Sequence, residues 1–206
     1  MIEDPKTFWN TIAQRDDWRD YILPRKQEGY FEFEGWIEAQ RLSYFYDDSS
    51  VVVEYGCGVG RILQYVAQRA KLVIGLDISD GMLEKARNNV SGENIQFIQS
   101  EKFTQEDVAN LVYSFMVLQH NNIQNQNKIM RHIHSILKPN GTAIVQLPRH
   151  GSSFYKEGEA CHKFTKREVV GFGKLFHSYR IIEGNAPNYQ SARDDMNHEY
   201  YLVAVK

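Results

Sequence analysis

The chain has 206 residues, a length that suits one ordinary domain with a small extension. Its 24 Lys and Arg nearly balance 26 Asp and Glu, and no basic stripe stands ready to neutralise phosphates, which disfavours a nucleic-acid partner. Cys57 and Cys161, the only cysteines, lack metal-ligand spacing, and no apolar run approaches the roughly 20 residues that cross a bilayer. Neither a metal site, a disulfide framework nor a membrane partner is therefore expected, and a cytoplasmic protein is the default, since MIEDPKTFWN has no secretory core.

Residues 1–46 read as a helical cap rich in aromatics, including Phe8, Trp9, Trp18, Phe31 and Trp36, and residues 47–206 as the main domain. Val51-Val52-Val53 before a glycine cluster predicts a buried strand and a tight turn. A helix is expected from Arg61 to about Arg69, its stripe formed by Ile62, Leu63, Val66 and Ala67. Leu72–Leu76 predicts a second strand, and Ser79 or Asp80 caps a helix carrying Met82, Leu83 and Ala86. Further strands are expected at Ile95–Ile98, Leu111–Leu118 and Thr142–Leu147, with a helix from Ile123 to Leu137 stopped by Lys138-Pro139-Asn140-Gly141. Thr165-x-x-Glu168 reads as a capping box, and two strands follow near Tyr179–Glu183 and Glu199–Lys206. Alternating strands and helices predict an α/β fold: a doubly wound, Rossmann-like, mainly parallel seven-stranded sheet. The last two strands have no helix between them, so the C-terminal strand is expected to run antiparallel.

The chemistry gathers at VVVEYGCGVG, residues 51–60, where an acid leads a Gly-x-Gly-x-Gly turn. Gly56, Gly58 and Gly60 remove the side chains that would keep a ligand from the backbone, and exposed amides are expected at the start of the next helix. A dinucleotide fingerprint needs its third glycine at 61, where this chain has Arg61, and that weakens a nicotinamide reading. Asp77 ends VIGLD, 17 residues after Gly60. A carboxylate there can accept from both hydroxyls of a ribose, or can cap the next helix. Cys57 reads as a small soft residue between close backbones, with no sign of a reactive thiolate.

EYGCGVG at 54–60, GLDISDGML at 75–83, FIQSE at 97–101, LVYSFMVLQH at 111–120 and LKPNGTAIVQLP at 137–148 stand in one order over about half the chain. In these pieces the sequence resembles the class I S-adenosylmethionine-dependent methyltransferases, particularly the small-molecule branch. The resemblance implies S-adenosyl-L-methionine as cofactor. Glu54 and the backbone of Gly56, Cys57, Gly58 and Gly60 would hold its methionine portion, and Asp77 the ribose. Ile78 and Met82 would sandwich the adenine or else pack in the core, Ser114 would touch the methionyl end, and Glu101 would meet the adenine amino group. Ser100-Glu101 departs from the family's usual Gly-Asp there.

The reaction implied is in-line methyl transfer to an O or N atom of a small molecule; alternatives are a nucleic-acid or protein methyltransferase, or a silent cofactor-binding domain acting through a protein partner. His120 and His150 are candidate bases, each with a structural reading beside it. Trp9, Tyr155, Tyr189 and Arg193 are candidate acceptor contacts, the last three on loops 149–163 and 184–197. The aromatic leader serves either as a lid over the cofactor or as packing, and the chain is read as monomer or homodimer.

Overall fold

A computed structural model describes residues 4–22, 29–150, 161–184 and 199–206. They fall into two compact units, Asp4–Thr104 and Gln105–Lys206. The fold is α/β with seven strands, mainly parallel, as the alternation predicts.

In the first unit, helices α1 (Pro5–Ala13), α2 (Trp18–Ile22) and α3 (Tyr30–Leu42) precede strand β1 (Val51–Tyr55). Short helix α4 (Leu63–Val66), β2 (Leu72–Asp77), α5 (Asp80–Asn89) and β3 (Ile95–Gln99) follow. The strands run parallel in the order β3-β2-β1, with Val51 opposite Leu72 and Val73 opposite Ile95. Val52, Val53, Val73 and Leu76 are fully buried, so both faces of the strands are covered, as continuous apolar runs require. Asp4 caps α1 by accepting from Lys6 N–H, and Pro5 opens the helix where a missing N–H costs nothing.

The helix expected over Arg61–Arg69 is confined to Leu63–Val66. Around it bonds reach three residues back (Gln68 N–H to Tyr65 O, Arg69 N–H to Val66 O) as well as four (Gln64 N–H to Gly60 O, Ala70 N–H to Val66 O), and the Asn94 amide takes the carbonyls of Ala67 and Ala70 at 2.8 and 2.9 Å. Those carbonyls are satisfied without further helix. The predicted stripe is nevertheless inward: Ile62, Leu63 and Val66 are buried.

The second unit holds β4 (Ala109–Ser114), α6 (Ile123–Ile136), β5 (Leu137–Pro148), α7 (Lys166–Gly173), β6 (Ser178–Glu183) and β7 (Glu199–Val205). Here the order is β4-β5-β7-β6, with β4 and β5 parallel and β7 antiparallel to both β5 and β6. Gln126, Met130, Ile133 and Ile136 form the buried stripe of α6. Two boundaries differ from expectation. β4 stops at Ser114 rather than Leu118, because Met116 turns left-handed (φ 61°) and Leu118–His120 coils into a 3-10 turn. The Gln126 amide holds that turn through the carbonyls of Leu118 (3.3 Å) and Asn121 (2.8 Å). β5 begins at Leu137, and Lys138–Gly141 is an excursion within it rather than a stop before it. The register steps from Ala109–Leu137 to Leu111–Thr142, and Asn140 N–H is retained by Lys206 O at 3.0 Å.

The capping box is present in full: Thr165 Oγ accepts from Glu168 N–H, and the Glu168 carboxylate accepts from Thr165 N–H at 2.7 Å. Burial alone would raise the Glu168 carboxyl, but the Thr165 backbone and hydroxyl, with His162, outweigh it and hold it low. Replacing Thr165 with Ala should cost about 1 kcal/mol, since it strips an N-cap. Denaturant unfolding should show a lower midpoint at an unchanged m-value.

A glycine turn clamped to a buried carboxylate

β1 and β2 end side by side, Tyr55 opposite Leu76, so the turn after one lies against the tip of the other. Gly56 N–H and Cys57 N–H both donate to Leu76 O, at 2.6 and 2.9 Å. Gly58 N–H donates to Asp77 Oδ2 at 2.8 Å, and Gly60 N–H to Cys57 O at 2.9 Å. Four amides of the turn, at 56, 57, 58 and 60, are thus spent inside the chain. Gly58 is left-handed (φ 52°), and a Cβ built on it would meet nothing within 4 Å. Packing does not explain a glycine there; backbone conformation and open space beside the turn do. Gly60, at φ 78°, is tight instead, its Cβ position 2.9 Å from a Val90 methyl.

Asp77 is 8% exposed. Besides Gly58 it holds Ser79 N–H, which donates to Oδ1 at 2.9 Å. Burial raises its carboxyl above the ordinary value, against the pull of the Ser79, Gly58 and Ile78 amides. An ionised carboxylate accepts about four hydrogen bonds, so acceptor capacity remains beyond these amides. Ser79, not Asp77, is the side chain that caps α5, accepting from Met82 N–H at 3.1 Å.

Glu54 is buried one residue before the end of β1, opposite Gly75. Cys57 is buried beside Asp77 and Glu54, and burial with those two charges pushes its thiol well up, so it stays protonated. Burial likewise pushes the Tyr55 hydroxyl up to about 12. Ile78 is half-buried, whereas Met82 is 1% exposed and clusters with Ile12, Ala13 and Val59. Glu101 is exposed on the 3-10 turn Ser100–Lys102 and pairs with Lys6 Nζ at 3.0 Å.

Several residues of this site give no motif signal. Asn10 of α1 accepts from Ser79 Oγ at 2.7 Å and Gly81 N–H at 3.1 Å, tying the leader to the loop after Asp77. Gln99 reaches Ile78 O and Asp80 at 3.3 and 3.1 Å. Trp9 is half-buried, edge-on to Phe8 (5.2 Å, 87°), and packs on the Met82 and Val59 cluster.

In the second unit, Ser114 is fully buried as the last residue of β4. His120 ends the 3-10 turn, half-buried, rather than ending a strand. His150 is exposed just beyond β5, its N–H on Phe164 O at 2.9 Å. Tyr155, Tyr189 and Arg193 lie outside the described residues. Among the described residues no His, Cys, Asp and Glu cluster could hold a metal, and no helix is long and apolar enough to cross a membrane.

Residues 52–141 match a family model described as a methyltransferase domain. Over 104 residues the chain is 30% identical to the phosphoethanolamine N-methyltransferase of Plasmodium falciparum, 48% of this chain and 39% of that one. It spans about half or less of the first curated relatives it matches, 51% of an uncharacterised Haemophilus influenzae protein and 29% of the Triticum aestivum phosphoethanolamine N-methyltransferase 1. The Haemonchus contortus phosphoethanolamine N-methyltransferase 1, solved with phosphoethanolamine and S-adenosylhomocysteine, superposes at TM-score 0.74 and 16% identity, covering 97% of this chain and 48% of that one. Magnesium protoporphyrin IX methyltransferase from Synechocystis, solved with S-adenosylmethionine, gives TM-score 0.68 and 16% identity, covering 98% and 97%. The fold is the Rossmann-like fold of these methyltransferases, and residues 52–141 are similar to the methyltransferase-domain family.

The native state binds a proton on Asp77 at higher pH than the unfolded chain does. Its contribution to stability is complete below the ordinary carboxylate value of about 4 and is lost as pH rises through the folded one. The unfolding free energy of wild type minus that of Asp77→Asn should therefore fall across that window and then level off. A difference that ignores pH in denaturant titrations would contradict the buried setting.

Proposed function

We propose that the chain binds S-adenosylmethionine at the turn 54–60 and Asp77, and transfers its methyl group to an O or N atom of a small molecule. The observation that carries the reading is the Asp77 carboxylate, buried and aimed by Gly58 and Ser79, beside a left-handed glycine with open space at its Cβ position. These residues fit an adenosyl group. Asp77 keeps acceptor capacity for a ribose diol, and Glu54 with the carbonyls of the turn suits an ammonium. Ile78 offers apolar surface for a base, and Ser114 a hydroxyl for the methionyl end. Glu101 would have to share its carboxylate with Lys6 to meet an adenine amino group. The relatives named above take phosphoethanolamine and magnesium protoporphyrin, and a further one is a trans-aconitate 2-methyltransferase, which supports a small acceptor.

When bound, the sulfonium supplies a methyl with a neutral leaving group. The protein's own residues then have to align the acceptor and exclude water, and such positioning is worth about 7–11 kcal/mol of barrier. Residues 1–46 act as the cap of a domain spanning 47–206. Asn10, Lys6 and Trp9 of α1 already sit on the loops that carry Ser79, Glu101 and Val59. A general base is optional for an amine that arrives neutral. His120, half-buried after β4, and the exposed His150 are the side chains proposed for a hydroxyl acceptor.

Asp77→Ala should weaken S-adenosylmethionine and S-adenosylhomocysteine by about tenfold or more, as charge-assisted bonds worth about 1.5–3 kcal/mol each are lost. Isothermal calorimetry reads this directly, and equal affinity in wild type and variant would remove Asp77 from the site.

A further inference from the structure

Within the first unit, α1 touches both segments that leave the tips of β2 and β3. Those strands are parallel neighbours with Asp77 opposite Gln99, so the segments 78–81 and 100–102 start side by side. Gln99 Nε2 ties the tips together by donating to Ile78 O and Asp80 Oδ2. Lys6 and Asn10 stand four residues apart on α1 and so share one face of it. Lys6 takes Glu101 on one segment, and Asn10 takes Ser79 and Gly81 on the other. Ala13 stands 2.9 Å from where a Cβ on Gly81 would lie, so α1 packs flush on this loop.

The way Asn10 is held fixes what it can still do. Gly81 N–H can only donate, so the atom facing it at 3.1 Å is the amide oxygen. That oxygen also accepts from Ser79 Oγ at 2.7 Å, which uses both of its lone pairs. The Nδ2 arm carries two N–H donors and makes no hydrogen bond among the described residues. Asn10 is half-buried, so these donors are not sealed in the core. A donor on a side chain already pinned by two bonds suits a ligand, because little further entropy is lost on binding. Its neighbourhood names the ligand: Ser79, which bonds Asn10 through its hydroxyl, bonds the Asp77 carboxylate through its N–H at 2.9 Å.

We infer that Asn10 binds the cofactor as well as anchoring α1, its Nδ2 donating to a ring nitrogen of the adenine. This rests on the methyltransferase reading above, which seats the ribose on Asp77 and the base against Ile78. With its oxygen filled, Asn10 cannot also take the exocyclic amino group, the two-point contact by which amides read adenine in nucleic acids. A single ring nitrogen is what it recognises, and α1 forms a wall of the purine pocket.

The test is calorimetric binding of the full chain to S-adenosylhomocysteine and to its 1-deaza, 3-deaza and 7-deaza analogues, each lacking one ring nitrogen. Wild type should bind at least one analogue about five- to tenfold more weakly than S-adenosylhomocysteine, as one hydrogen bond is lost. Asn10→Ala should lose that same factor against S-adenosylhomocysteine and no longer tell it from that analogue. Asn10→Asp keeps an acceptor for Ser79 and Gly81 but lacks the donor, so it should be equally blind while α1 stays anchored. A role confined to holding α1 would weaken every ligand alike in Asn10→Ala and be rescued in Asn10→Asp. Wild type binding all three analogues as tightly as S-adenosylhomocysteine, or either variant keeping wild-type discrimination, would overturn the adenine contact. Failure of the wild type to bind S-adenosylhomocysteine would instead overturn the methyltransferase reading.

Discussion

The bond from Gly58 N–H to Asp77 is the constraint on which the first unit's site depends. It joins the turn after β1 to the tip of β2, and it does so with a carboxylate that burial would rather see neutral. A charge-assisted bond in a water-poor place is stronger than its surface counterpart, and removing either partner leaves an expensive orphan. The shape of the turn follows. With Gly58 held by Asp77, and Gly56 and Cys57 held by Leu76, the chain passes through left-handed conformations at Gly56, Gly58 and Gly60 that other residues rarely adopt.

Around that bond, α1 adds a second set of ties. Asn10 shares the Ser79 hydroxyl with the capping of α5, and Gly81 leaves room for Ala13, whose Cβ would stand 2.9 Å from any Cβ at 81. The aromatic leader thus packs on the loop after Asp77 and does not stand apart from it. Packing and lid are compatible roles for the same helix: exposed pairs such as Lys6–Glu101 hold weakly, while Met82 and Ile12 supply apolar burial.

Much of this was legible from residue order alone. The strands, the antiparallel C-terminal strand, the Ser79 cap and the Thr165 capping box all follow from local patterns, and the structure has them. What local patterns could not foretell was decided at a distance. Asn94 takes the carbonyls of Ala67 and Ala70 just beyond α4, and Gln126 from α6 stabilises the 3-10 turn that replaces the end of β4. Phe115-Met116-Val117-Leu118 reads as strand because it is apolar; only the left-handed Met116 breaks it. At the site, Asp77 and the glycines announced themselves by type and spacing. The inward direction of the amides did not, because spacing says nothing about where an N–H points. Gln146 of β5 bonds Glu199 and Tyr201 of β7, partners 53 and 55 residues further on that no local pattern joins to it.

The spent amides set this turn apart from an anion-binding loop. Phosphate-gripping loops work by aiming several N–H groups outward to form a nest for negative oxygen. Here four N–H groups of the turn, at 56, 57, 58 and 60, are committed to Leu76, Asp77 and Cys57. Those four donors are taken before any negative oxygen reaches this bend, and the Asp77 carboxylate lies beside it. The hydrogen bonds of these four amides therefore serve the shape of the bend rather than the capture of an anion.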